Sequence, residues 1–127
     1  MSELRAAYLE YLSCLNERRW ERLGDYVADE LTYNGAHLTL ADYRAMLVGD
    51  TEAIPDLRFE PEFLVVDGDI VACRLPFRCQ PVSTFLRFEP TGRELAFPEH
   101  VFYRFAHRRI VEVWSVIDKE AIRRQLA

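Results

Sequence analysis

The spacing of apolar residues changes period near Pro55, and that change constrains the fold more than any other feature of this chain. Upstream, Leu4, Tyr8, Tyr11, Leu12 and Leu15 recur every three or four residues, so one apolar stripe runs down a helix from about Ser2 to Asn16. A second short helix is expected next, with Trp20, Leu23, Tyr26 and Val27 facing inward and Gly24 weakening its middle. A short extended run, Leu31 to Tyr33, leads into the turn dipeptide Asn34-Gly35, and His37 just beyond reads as a loop residue. Thr39 has the character of a helix N-cap, with Asp42 as its acidic partner three residues on. The helix it starts carries Leu40, Tyr43, Met46 and Leu47 inward and fades near Gly49 and Pro55.

Beyond Pro55 the period is that of strands: Leu57 to Val66, Ile70 to Cys79, Thr84 to Phe88, Arg93 to Ala106 and Ile110 to Ile117. Turn residues separate them, and Asp67-Gly68 between Val66 and Ile70 is a hairpin signal. Strands joined by such short links are antiparallel, because parallel pairs need long crossovers. A short amphipathic helix, Lys119 to Leu126, closes the chain. Helices followed by a run of antiparallel strands give an α+β class. A strongly curved sheet wrapped around its helices leaves a concave interior at its open end, which suits a small-molecule pocket.

A length of 127 residues predicts one domain, too short for a dinucleotide-binding dehydrogenase, a TIM barrel or a kinase. Half the residues are hydrophobic and 16 are aromatic, ample for a core. A net charge of −5 offers no basic field for a phosphodiester backbone, so no nucleic-acid partner is expected. Fifteen of the sixteen cations are scattered arginines, and Lys119 is the single lysine. Cys14, Cys73 and Cys79 lack CxxC spacing and read as reduced, buried thiols. No stretch approaches the roughly 20 apolar residues of a membrane span, and the N-terminus lacks the apolar centre of a signal peptide, so a cytoplasmic protein without a membrane partner is expected.

The last third carries more specific patterns: Pro90-Thr91-Gly92-Arg93, then Phe102-Tyr103-Arg104-Phe105, then Ile110-Val111-Glu112-Val113-Trp114 running to Asp118, and finally Gln125-Leu126. Upstream, Asn34-Gly35, Pro55-Asp56-Leu57 and Asp67-Gly68-Asp69-Ile70-Val71-Ala72 with Arg74 extend the pattern over about 90 residues. In this order they resemble the SnoaL-like polyketide cyclase, or ester cyclase, family of the NTF2-like superfamily. The resemblance implies an α+β, cone-shaped barrel with N-terminal helices packed in a strongly curved, mainly antiparallel sheet, often dimeric through the sheet's outer face. It implies ring closure by intramolecular aldol chemistry, with no metal and no organic cofactor. It further implies an Asp near the end of the last strand as acid/base, helped by a His and an Asn, which by position are Asp118, His100 and Asn34.

Each of these residues has a second reading. By strict alternation Asp118 shares a face with Trp114 and Glu112, opposite Val113, Ser115 and Ile117. It reads either as a desolvated carboxylate at a pocket mouth or as the N-cap of the closing helix. His100 shares its face with Ala96, Pro98, Phe102 and Arg104, whereas Glu99 goes with Phe97, Val101, Tyr103 and Phe105, so one of the pair points inward. Asn34 is an amide donor to a substrate oxygen or a turn former. Arg74 pairs with a pocket acid or a substrate carboxylate, or lies on an exposed face. Tyr8, Tyr11, Trp20, Tyr33, Tyr43, Phe102 and Trp114 line a cavity or simply fill the core. No metal-ligand cluster, nucleophile triad or phosphate loop is present. The expected partner is therefore a small hydrophobic or aromatic carbonyl compound, handled by a cyclase or isomerase. The alternative is a non-catalytic ligand-binding or interaction domain with the same shape, and the polar content of its cavity separates the two.

Overall fold

The computed structural model describes residues 2–127. Helix α1 (Ser2–Asn16) is followed by a single stretch of 3-10 helix (Trp20–Asp25), strands β1 (Val27–Tyr33) and β2 (Ala36–Thr39), and helix α2 (Leu40–Ala53). Strands β3 (Phe63–Asp67), β4 (Ile70–Cys79), β5 (Leu95–Ala106) and β6 (Arg109–Ile117) come next, and α3 (Lys119–Leu126) ends the chain. The strands form one curved sheet in the order β2-β1-β6-β5-β4-β3, unclosed between β2 and β3. β1–β2, β3–β4, β4–β5 and β5–β6 pair antiparallel, and among the described residues one parallel pair joins β1 to β6. That pair has the whole of β2 to β5 as its crossover.

The helical stripe of α1 is buried as its period dictates, with Tyr8, Tyr11, Leu12 and Leu15 inside the curve. Each such side chain is worth about 1.5–3 kcal/mol when withdrawn from water. Tyr8 packs on Tyr103 of β5 with ring centroids 4.9 Å apart, which anchors the helix to the middle of the sheet. The same core takes in residues of every strand except the edge β2 and β3, which pack against it through Leu38, Leu64 and Val66. All three cysteines are buried and free.

Four expectations need correction. The second short helix forms, as 3-10 helix over Trp20–Asp25, but Val27 already belongs to β1, so the extended run is longer than Leu31 to Tyr33. His37 lies in strand β2, not in a loop. Of Leu57 to Val66 only Phe63 onward is strand. Upstream, Asn16 exchanges two hydrogen bonds with the Phe59 backbone, at 2.7 and 3.0 Å, and Arg18 donates to the carbonyls of Pro55 and Leu57. With those groups satisfied by side chains, the segment has no need of a strand partner. Thr84 to Phe88 is likewise not a strand. Phe85 and Phe88 exchange two backbone hydrogen bonds across Leu86 and Arg87, whose φ angles are +49° and +68°.

The capping box at α2 forms as its residues predict: the Thr39 hydroxyl accepts from Asp42 N at 3.1 Å, and Asp42 Oδ2 accepts from Thr39 N at 3.0 Å. Thr39→Ala is expected to cost about 1 kcal/mol, read as a lower urea midpoint with an unchanged slope.

Candidate functional site

The phase of β5 decides which side chains enter the curve. Phe97, Val101, Tyr103 and Phe105 are buried, whereas His100, Phe102 and Arg104 face solvent, so Glu99 is the member of the Glu99–His100 pair that points inward. It enters a cavity of about 540 Å³ enclosed by α1, α2, the sheet and the 80–94 loop. Glu99 is paired in register with Leu75 on one side and Ile117 on the other, so aliphatic neighbours flank its carboxylate. The Ser115 hydroxyl donates to Glu99 Oε2 at 2.5 Å. Desolvation pushes the Glu99 carboxyl above the usual carboxylate range; the Ser115 bond opposes that shift and the Asp50 charge adds to it.

Asp50 is the second carboxylate of the lining. It follows Tyr43, Met46 and Leu47 on the inward stripe of α2, seven residues after Tyr43. Asp50 still meets water at the mouth, yet its protein surroundings push its pKa up to about 6 by desolvation. Desolvation is the cause of that shift, with no hydrogen bond or neighbouring charge opposing it. Lys119, at the start of α3, is the cation of the lining.

The cavity has two chemically distinct walls. On one, the Tyr11 and Tyr43 hydroxyls are 2.6 Å apart, Tyr33 lies 6.1 Å from Tyr43 between ring centroids, and Tyr103 lies 5.9 Å from Tyr11. Burial raises the pKa of all four phenols, so they stay neutral and able to donate. On the other wall Phe77 packs between Phe59 and Phe97, with centroids 5.6 and 5.5 Å away, and Phe85 stacks on Phe97 at 6.2 Å.

Of the residues singled out from sequence, Glu99, Tyr11, Tyr33, Tyr43 and Asn34 line this cavity. Asn34 stands at its exposed rim with φ +48°, and both ends of its amide bind the Ser115 backbone, at 2.8 and 3.1 Å. Its amide group therefore locks the turn onto β6. Asp118 does not line the cavity. It is exposed and caps α3, its Oδ1 accepting from Ala121 N at 3.0 Å. The cause is the face it shares with Trp114 and Glu112, which is the outer one, because Val113, Ser115 and Ile117 take the inner. His100 and Arg74 are neighbours on that outer face, where Arg74 Nη1 donates to His100 Nε2 and Arg74 Nε pairs with Glu62 at 2.9 Å. Phe102 is half exposed there, and Trp114 lies under the Arg104 guanidinium at 5.6 Å. Trp20 packs against the core from the 3-10 stretch and is not part of the cavity wall.

Asp50, Ser115, Tyr103 and Lys119 are cavity residues that sequence reasoning did not select as site residues. For Asp50 a signal existed: an acid continuing the apolar stripe of a helix. Ser115 is the polar member of an otherwise aliphatic strand face, Val113 to Ile117. Among the described residues no group of three or more His, Cys, Asp or Glu side chains is placed to hold a metal ion, and no helix is long and apolar enough to cross a membrane.

Residues 5–126 match the family model of the SnoaL-like polyketide cyclases. No curated protein sequence matches the chain. A SnoaL-like polyketide cyclase from Agrobacterium tumefaciens is similar over 98% of each chain, at 48% identity and a TM-score of 0.94. TsrD from Streptomyces laurentii, at 21% identity, superimposes over 100% of this chain and 96% of its own with a TM-score of 0.88. AclR from Streptomyces galilaeus, a proposed hydroxylase, does so at 24% identity over 99% and 96%, with a TM-score of 0.81. The last two speak for the fold alone. The family model and the Agrobacterium structure go further: this chain belongs to the SnoaL-like polyketide cyclase family.

Proposed function

We propose that the cavity performs acid/base chemistry next to a carbonyl, an aldol-type ring closure or isomerisation of a small hydrophobic or aromatic carbonyl compound, with Glu99 rather than Asp118 as the base. The observation that carries this reading is a carboxylate held by Ser115 inside an aromatic cavity and raised in pKa by desolvation. A base poised nearer neutrality than an ordinary carboxylate is better matched to abstracting an activated C–H proton. Glu99 takes the proton α to the carbonyl. The enolate oxygen that results is met by neutral phenols such as Tyr33 and Tyr103, which both oppose Val113 on the inner face of β6 that carries Ser115. In ring closure the enolate carbon attacks a second carbonyl of the same molecule, and the new alkoxide takes a proton from a carboxylic acid of the lining. Asp50, at about 6, is suited to that return step. A purely apolar cavity would suit a carrier; two carboxyl groups, a hydroxyl and several phenols converging on one space favour chemistry.

Exposed Phe63, Val65, Phe102 and Val116 crowd the outer face of the sheet, with Val116 68% exposed. This supports a homodimer that covers them, since such a patch is costly to leave in water. The polar groups among them, Arg74, His100 and Glu62, would then pair within or across the interface.

Three outcomes test these readings. In D2O, α-proton exchange of an aryl methyl ketone followed by NMR is expected to fall about 100-fold or more in Glu99→Gln, which keeps the Ser115 contact. Asp118→Asn, which retains a good N-cap, is expected to exchange like the parent; the reverse pattern returns the role to Asp118. For Asp50, the folded chain holds a proton between pH 3.8 and about 6 that the unfolded chain has released, so stability falls as pH rises through that window. Asp50→Asn is therefore expected to melt higher than the parent above about pH 6 and to lose that advantage towards 3.8. Finally, analytical ultracentrifugation is expected to find a dimer that Phe102→Glu converts to monomer. A monomeric parent removes the dimer.

A further inference from the structure

The turn at Leu86–Arg87 uses left-handed backbone that its residues do not favour. Phe88 N donates to Phe85 O at 2.7 Å and Phe85 N to Phe88 O at 3.1 Å, closing a two-residue hairpin with positive φ at both central positions. Asn and Gly are the residues that adopt such a turn readily, and the chain places them at Asn34-Gly35. A second turn with the same strain, His107–Arg108, joins β5 to β6, and the long ladder on either side of it holds it in place. The Leu86–Arg87 turn has no ladder beyond its own bridge. What holds it is tertiary: Phe85 stacks on Phe97 at 6.2 Å, the Arg123 guanidinium lies 5.8 Å from the Phe88 ring centroid, and Thr84 Oγ1 donates to Glu89 at 2.6 Å.

Strained backbone kept without a ladder calls for a use, and Leu86 supplies one. Both Phe85 and Leu86 line the cavity, yet Leu86 remains 37% exposed, an apolar side chain set against open cavity space. A ligand would complete its burial. Phe85 leans on Phe97, two residues along the same strand face from Glu99, so the turn lies on the apolar wall and Glu99 next to it on the polar one.

Resting on the reading of this cavity as a site for aromatic carbonyl compounds, we propose that Leu86 is a specificity-determining residue: the strained turn sets its side chain as the stop that limits how far a ring system extends from the carbonyl held near Glu99. The side chain at position 86 then sets the preference between shorter and longer ring systems.

The test is calorimetric binding of acetylnaphthalene and acetylanthracene to parent, Leu86→Ala and Leu86→Trp proteins. Leu86→Ala is expected to shift the affinity ratio towards the three-ring ketone by about tenfold, the scale on which apolar pockets sort ligands of different size. Leu86→Trp is expected to shift it the other way, and serves as the readout should the alanine variant fold poorly by circular dichroism. An unchanged ratio in the folded variants, with the parent binding both ketones, overturns the role of Leu86 and leaves the cavity reading standing. A parent that binds neither ketone overturns the cavity reading, and the proposal with it.

Discussion

The phase of β5 is the constraint on which the rest depends. This strand is in register with β4 from Leu95 to Arg104 and with β6 from Glu99 to Arg104. Side chains alternate between faces, so a slip of one residue would turn Phe97, Val101, Tyr103 and Phe105 out to water and bring His100, Phe102 and Arg104 in. The hydrophobic cost of that slip fixes the register, and Glu99 is carried inward because it lies in phase with the buried aromatics. The position of the candidate base is thus a consequence of core packing, and nothing in its own chemistry draws it there.

A carboxylate in such a place opposes the fold that holds it. Its charged form is disfavoured by desolvation. The surroundings offset this only in part, through one Ser115 hydrogen bond and a wall of phenols kept neutral by burial. Asp50 is raised by the same cause, to about 6, although the mouth leaves it in touch with water. The two acids also repel, so they do not ionise independently. One enclosed and one half-solvated carboxyl in a shared space is a pattern that separates the roles of proton acceptor and proton donor.

Much of this was legible from residues alone, and the failures have physical causes. The α1 stripe, the Thr39–Asp42 cap and the β3–β4 hairpin follow from local pattern and are formed as read. Leu57 to Pro61 and Thr84 to Phe88 have strand-like composition but find their backbone partners elsewhere, in Asn16 and Arg18 or across a tight turn. Period alone could not choose between Glu99 and His100, since Tyr103 and Phe102 suit a core equally well; the sheet chose by packing Tyr103 against Tyr8. For Asp118 the alternation had already joined it to Trp114 and Glu112, and only the identity of the outer face was missing.

That identity is set by an irregularity in β6. Arg104 pairs with Glu112 and Phe105 with Ile110, so Val111 is an extra residue between them. Ile110 and Val113, three apart, are both buried as a result. Were the alternation unbroken from Ile110, then Glu112, Trp114, Val116 and Asp118 would face the cavity. The bulge instead gives Ser115 to Glu99 and frees Asp118 to cap α3. The closing helix then serves β5 beyond the end of β6: the Gln125 amide accepts from Ala96 N at 2.9 Å and donates to Ala96 O at 2.6 Å, supplying the ladder bonds that a longer β6 would have made. This accounts physically for Gln125 of the Gln-Leu pair. It also ties the helix to the cavity, because α3 places Arg123 over Phe88 of the turn that carries Leu86. One inserted residue in β6 therefore decides the phase of the cavity wall, the use of Asp118 and the anchoring of the loop at the cavity's apolar wall.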